Sequence, residues 1–396
     1  MKKMYKVYYD MIYLISCGVN EIKPVHECID IYRNDQHMQS VLYQVSKIHF
    51  LDALIGQILQ ENNVELSRKW KDSIAKAIRR VILFDTERMN ICSFMEQNRI
   101  WYLPLKGIIL KDYYPSAEMR QMSDNDILYD DANAEKLRQY MVAHGYQFVY
   151  DNSCDVDIYK KAPVYNFEMH RALFGRTAKD VWQKYYSGIK EHLVLDEQKS
   201  FGYHMSDEDF YIYMVCHTYK HFIKKGIGLR ALLDFFLYLR VKAGTMDWDY
   251  IQRECGTLGI ADFEMESRVL CDKVFSSERA NSYGIDAFKS LLSHKELTML
   301  LYYISSGAYG NIENKIENDL KAYKQESGRS NFTAKMKYLL KRFFPGKEIY
   351  GRYTFYNKHR WAVPFFWFHR FINIVLSGER RERAFREIKA VRFFDR

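Results

Sequence analysis

Two aspartates one residue apart, Asp124 and Asp126, stand at the head of a short apolar run, Ile127-Leu128-Tyr129. Side chains alternate along a strand, so both carboxylates share one face. Held side by side they repel each other, and the usual compensation is a divalent cation that prefers hard oxygen ligands, magnesium first. A lone Asp-x-Asp is common in solvated turns, so a third carboxylate matters. Val164 to His170, VYNFEMH, alternates cleanly. Tyr165, Phe167 and Met169 share one face, and Asn166, Glu168 and His170 share the other. A half-buried strand of this kind could deliver Glu168 beside the aspartate pair. Asp155 and Asp157 form a second Asp-x-Asp just before it. With no glycine turn upstream, that pair reads as an exposed hairpin, and it stays a rival source of the third ligand.

The elements that must position these groups lie close by. Ile100 to Leu105 is long enough for one buried strand, and Lys106-Gly107 breaks it. Ile108 to Tyr114 reads as a short helix stopped by Pro115, and Arg120 to Ser123 as a polar loop. After the acidic strand, Asp131 to His144 is predicted helical, with Asp130 or Asp131 as N-cap and Gly145 as stop. Strands follow over Tyr146 to Tyr150 and Asp155 to Lys160, joined by Asp151-Asn152-Ser153. Residues 1–95 read as helices, with apolar spacing near 3.6 over Val41 to Leu59 and over Trp70 to Phe94. Helix returns after Ser206, a capping-type start with Asp209.

In that later helix His217 and His221 share a face, four residues apart. They lack the intervening Glu of a His-Glu-x-x-His zinc protease. They read either as packing histidines or as the lining of a cleft, the second favoured by nearby Lys220 and Arg230. Gly226-Ile227-Gly228 breaks the helix, and Arg230 and Asp234 sit at i,i+4, where they could pair.

Taken together, a Lys-Gly turn, a helix, then Arg…Ser-Asp-x-Asp on a strand, then an acidic residue on a later strand resembles the nucleotidyltransferase superfamily of DNA polymerase beta. The closer likeness is to a bacterial branch of uncharacterised nucleotidyltransferases. It is similar in Lys106-Gly107, where the wider superfamily has Gly-Ser or Gly-Gly. It is similar again in a His-x-x-Lys-His-Phe…Gly-Ile-Gly-Leu-Arg…Asp segment, matched by His217, Lys220, His221, Phe222, Gly226 to Arg230 and Asp234. The likeness spans roughly residues 5 to 375. It implies an α+β fold, a mixed-sheet nucleotidyltransferase core flanked by helical regions. The divisions expected are an N-terminal helical region over 1–95, the core over 96–195, a helical domain over 196–330 and a basic aromatic segment over 331–396.

The implied activity is transfer of an NMP group from an NTP to a hydroxyl or phosphate acceptor that the sequence does not identify. Asp124, Asp126 and Glu168 would be the catalytic residues and would hold two magnesium ions, or manganese in their place. Lys106 and Gly107 would meet phosphate at the start of the following helix. Lys106 departs from the Gly-Ser pattern, and its point charge would replace the serine contact. Arg120, Ser123, His170, His217, Lys220, His221 and Arg230 complete the expected substrate-binding set. Because fold does not fix function, the alternative is a non-catalytic nucleotide- or protein-binding module, antitoxin-like. A third reading, a peripheral membrane or polysaccharide-assembly protein, rests on the C-terminal segment.

The 396 residues leave room for a large core, at 48% hydrophobic and only six prolines. No run of 18 apolar residues exists, so no spanning helix is expected. Leu14-Ile15-Ser16-Cys17 mimics a lipoprotein cleavage site, but Asp10 and four tyrosines interrupt the apolar stretch before it. An amphipathic first helix fits that stretch better. Seven scattered cysteines without Cys-x-x-Cys spacing argue against a disulfide framework or structural zinc, and the expected setting is cytoplasmic.

The formal charge of +9 is local. Lys335 to Arg396 carries 16 Lys or Arg against 5 Asp or Glu, a net +11, which leaves −2 for the rest. Within it, Trp361 to Leu376 is aromatic-rich. The segment is open to an acidic partner, a membrane surface or nucleic acid. Pro364 and aromatics on more than one helical face favour the reading of Trp361, Phe365, Phe366, Trp367 and Phe371 as core residues. Ala322 to Thr333 is the best candidate linker.

Overall fold

A computed structural model describes residues 2–151, 155–176, 178–327, 330–346, 350 and 354–393. They form two compact units, residues 1–220 with 228–304, and residues 221–227 with 305–396. The first unit opens with five helices: α1 (Lys2–Val19), α2 (His26–Asn34), α3 (Gln36–Ile48), α4 (Asp52–Glu61) and α5 (Arg68–Gln97). The expected single run over Val41 to Leu59 is two helices. The chain turns between α3 and α4 at Phe50, whose φ is +57°. The first helix is not simply amphipathic, because Tyr9 to Cys17 are buried without interruption.

A five-stranded sheet follows: β1 (Tyr102–Pro104), β2 (Asn125–Tyr129), β3 (Gln147–Asp151), β4 (Val156–Lys161) and β5 (Tyr165–His170). Its order is β1-β2-β5-β4-β3. Only β2 and β5 run parallel, and the other neighbours are antiparallel. The turn expected over Asp151-Asn152-Ser153 lies outside the described residues beyond Asp151. Helices α6 (Gly107–Leu110) and α7 (Ala134–Ala143) fall where the apolar spacing puts them, and a 3-10 turn over Lys111–Tyr113 finishes the first. Asp130 accepts from the Ala132 N–H, the cap read from sequence. Gly145, at φ +83°, lets the chain leave α7 in the left-handed region.

One face of the sheet is core. Ile127, Tyr129, Phe167 and Met169 pack with Phe84, Ile91 and Met95 of α5 and Leu137 and Met141 of α7. Strand alternation therefore turns Asp126, Glu168 and His170 to the opposite face. The remaining helices of this unit include α8 (Asp180–Tyr186), α9 (Asp207–Phe222), which ends in the second unit, and α10 (Leu229–Lys242).

A buried clamp ties the loop before β2 to α10. The Arg120 guanidinium donates from Nε and Nη2 to the two carboxylate oxygens of Asp234, each at 2.8 Å, and the Tyr114 hydroxyl donates to Asp234 at 2.8 Å. A buried ion pair is tolerable only when its hydrogen bonds are satisfied in this way. The clamp also explains Gly107. A Cβ there would lie 2.6 Å from Arg120 Nη1, and Arg120 is pinned by Asp234 and cannot give way.

In the second unit, α11 (Ile312–Ser327) and α12 (Asn331–Phe343) pack with the terminal helix Gly378–Phe393 around Ile316, Leu320, Ala334, Tyr338 and Val391. The stretch expected to be a linker is thus helical through Ser327 and again from Asn331, with 328–329 outside the described residues. Pro364 does not interrupt the aromatic helix. It lies in the first turn of Val363–Leu376, where a missing N–H costs nothing. The core reading of its aromatics is corrected. Phe366 is buried and Trp367 partly so, but Trp361, Phe365 and Phe371 are exposed. No helix among the described residues is long and apolar enough to cross a membrane.

Gly107→Ala is expected to lower stability by about 1–3 kcal/mol through overpacking against Arg120. Urea denaturation checks it, and an unchanged unfolding free energy would contradict the clamp.

Candidate active site

The site begins with register. On parallel β2 and β5, Asp126 is opposite Glu168 and Leu128 opposite His170, so the two carboxylates stand side by side on the non-core face. The Leu105 N–H donates to the Asp126 carbonyl at 3.0 Å, which fixes the end of β1 beside Asp126. The chain then turns sharply at Lys106, with φ +48° and ψ −112°, a conformation that favours glycine. A non-glycine residue held there marks a constrained turn. Its consequence is that Lys106 Nζ lies 2.8 Å from Asp126 Oδ1. His170 Nε2 lies 2.7 Å from the same oxygen.

Oxygens of Asp126 and Glu168 and a ring nitrogen of His170 all fall within 4.8 Å of one another, a spacing that one ion can bridge. One buried carboxylate, Asp126, and one half-buried, Glu168, supply the hard oxygen donors magnesium takes, and the nitrogen suits manganese as well. Asp124 lies just before β2, outside that closest cluster, with its carboxylate hydrogen-bonded by Ser123.

Charge is unevenly shared. Burial alone would raise the Asp126 carboxyl, but Lys106 and His170 outweigh it and hold the group well below the usual carboxylate range. Burial would likewise lower the Lys106 ammonium, and Asp126 reverses that shift. At Glu168, Lys106 and Lys160 act to lower the carboxyl but do not prevail. Burial first, then the charges of Asp126 and Asp124, push its carboxyl up to about 7. Asp124 is raised by burial and by Asp126. His170 is lowered, chiefly by burial. The cluster is therefore short of positive charge, the condition a bound cation relieves.

The other expected residues are distributed unequally. Gly107 opens α6, closed off by the Arg120 side chain. Arg120, expected at phosphate, is instead buried on Asp234, where its guanidinium makes a bidentate, charge-assisted pair. Asp234 consequently pairs with Arg120 and not with Arg230. Arg230 donates to the Gln121 carbonyl, lies over the Phe50 ring at 5.3 Å and acts electrostatically on Asp124. The Lys220 ammonium lies over Phe174 at 5.4 Å and its charge reaches His170. His217 packs near Tyr213, with ring centroids 6.0 Å apart. His221 belongs to the second unit.

Asp157 is not in an exposed hairpin. It is buried, with two bonds from Arg171 Nη2 at 2.8 and 2.9 Å and one from the Tyr129 hydroxyl at 2.9 Å. Its register partner is Met169, so it faces the core side, away from Glu168, and is no rival ligand. Tyr213 is a residue the sequence reading missed. It is buried on α9, and its hydroxyl is coupled by charge to Lys106 and Asp126. Its only sequence signal is its position four residues before His217.

Glu168 gives a pH test. The folded state binds the Glu168 proton more tightly than the unfolded chain, whose carboxyl has the ordinary value of 4.5, so this contribution to stability is full below 4.5 and is lost as pH rises through about 7. In metal-free protein, Glu168→Gln should gain thermal stability relative to wild type between about pH 5 and pH 8, and added magnesium should reverse that order by favouring the carboxylate. Parallel melting curves across pH check this. A constant difference between the two proteins would contradict it.

No curated protein and no solved structure matches the chain. Residues 36–276 match the family described as uncharacterised nucleotidyltransferases, a span running from α3 past α10 and enclosing the whole sheet and its carboxylates. With well over half its length matched and every residue of the cluster inside the match, the chain belongs to that uncharacterised nucleotidyltransferase family.

Proposed function

We propose that the chain moves a nucleotidyl group from a nucleoside triphosphate to an acceptor hydroxyl or phosphate, on a core related to that of DNA polymerase beta. The observation that carries this reading is the registered pair Asp126 and Glu168 beside the Lys106 ammonium, in a chain of a nucleotidyltransferase family. Asp126 and Glu168, with Asp124 next to them, would hold two magnesium ions, or manganese. When bound, these ions lower the pKa of the acceptor hydroxyl and offset the charge of the departing pyrophosphate.

The remaining work belongs to the protein. His170 orients Asp126 through the 2.7 Å contact to Oδ1. Lys106 is already beside the carboxylates and offers a point charge to the triphosphate. Lys220 and Arg230 extend the positive side of the site from α9 and α10. The acceptor oxygen forms a bond to the α-phosphorus, the α–β anhydride bond breaks, pyrophosphate leaves and the hydroxyl proton passes to solvent.

Two measurements test this. Magnesium with NTP should stabilise the fold by about 2.7 kcal/mol at a hundredfold excess over the dissociation constant. Lys220→Ala should weaken that binding by about tenfold, the worth of one charge-assisted contact. Labelled NTP incubated with cell extract and pure protein should then yield a labelled small molecule, RNA or protein with release of pyrophosphate. A thermal shift without any labelled product would favour a nucleotide-binding module, and no shift with any of the four NTPs would overturn nucleotide binding altogether.

A further inference from the structure

The exposed side of the aromatic helix Val363–Leu376 has no use in nucleotidyl transfer. Phe365, Phe368, Ile372 and Leu376 recur at three- and four-residue steps, so they form one stripe. All four are exposed, with Phe365 and Phe368 at 64% and Leu376 at 78%. Trp361 and Phe371 flank the stripe and are exposed too. The same helix turns Val363 and Phe366 inward. Its buried side is thus satisfied, and its outward side is apolar where a solvated helix would be polar. Apolar surface this continuous marks an interaction site.

A groove of about 270 Å³ adjoins this surface in the same unit. Leu339, Phe343, Phe371, Phe385 and Ile388 line it, with Arg342 and Arg381 among them. The same unit is rich in exposed positive charge. Lys341, Lys358, Arg360, Arg381, Arg386 and Lys389 are all exposed. The segment from Lys335 onward carries the net +11 while the rest of the chain is slightly acidic.

We propose that this unit docks on an anionic lipid surface, with the helix lying in the plane of the interface and Phe365, Phe368, Ile372 and Leu376 entering the headgroup–acyl boundary. The chemistry fits that occupant on both counts. Aromatic and aliphatic side chains on one face, with lysine and arginine around them, are what an interfacial helix needs. Basic side chains then meet the negative potential of the headgroups. A second copy of this chain would bring one strongly positive surface against another, which charge opposes. Single-stranded nucleic acid would use stacking aromatics, and Ile372 and Leu376 have no face on which a base stacks.

Flotation of the full chain with phosphatidylcholine vesicles, with and without about 30% phosphatidylglycerol, tests the proposal. The chain should float with the anionic vesicles, remain behind with neutral ones, and be released as salt shortens the screening length. Phe365→Ser with Phe368→Ser and Leu376→Ser should weaken binding by about tenfold or more. Circular dichroism should stay unchanged, since these side chains are exposed. Arg381→Glu with Arg386→Glu should weaken binding as well, and it decides the matter alone if the apolar variant fails to fold. Absence of anionic-vesicle binding, or binding untouched by these variants, would overturn the proposal. So would loss of a dimer by the apolar variant with vesicle binding intact, which would assign the face to a second copy.

Discussion

The Asp126 carboxylate governs the first unit. It is buried, it receives the Lys106 ammonium and the His170 ring on one oxygen, and its strand neighbour is Glu168. Taking one carboxylate from water is costly, and setting a second beside it costs more unless positive charge arrives. Lys106 pairs directly with Asp126, and its charge does not offset the burial and mutual repulsion that keep the Glu168 and Asp124 carboxyls raised. The β2–β5 register, the strained turn at Lys106 and the His170 contact all serve to hold Asp126 in place beside its under-compensated neighbours. A structure stabilised only for its own sake would not concentrate three carboxylates where two of them keep raised carboxyls. Strongly perturbed groups of this kind gather at functional sites.

Around that group the protein spends buried polar interactions on rigidity. The Arg120–Asp234–Tyr114 clamp fixes the loop that leads into Asp124, and it anchors that loop to α10, the helix that carries Arg230. On the core side Asp157 is held by Arg171 and Tyr129, which braces β4 against β2 and β5. Both networks are satisfied bond for bond. That is the condition under which buried ions specify a geometry without unravelling it.

Sequence patterning made the site largely legible and its surroundings less so. The alternation in Tyr165 to His170 separated Phe167 and Met169 from Glu168 and His170, and the sheet keeps that separation. Period-two sorting works there because one face packs on α5 and α7. It could not reveal that Asp157, one strand over, faces inward, since a buried aspartate needs partners as distant as Tyr129. Nor could it choose between Arg120 and Arg230 for Asp234. Spacing on a helix proposes the near partner, while the bidentate bond comes from a residue 114 positions away. The aromatic helix fails for a different reason. A 3.6-residue period says which side chains share a face, but not whether the protein or something else covers it. Phe365 and Phe366 are neighbours in sequence, yet one is exposed and the other buried.

The electrostatic imbalance at Asp126 and Glu168 is best tested by the ion itself. Manganese binding to the full chain, followed by electron paramagnetic resonance, reads the site without needing an acceptor. The imbalance predicts saturable binding that magnesium displaces and that Asp126→Asn or Glu168→Gln removes, with both variants still folded. Manganese binding unaffected by either substitution, or none in the wild type, would contradict the assignment of these carboxylates as the cation site.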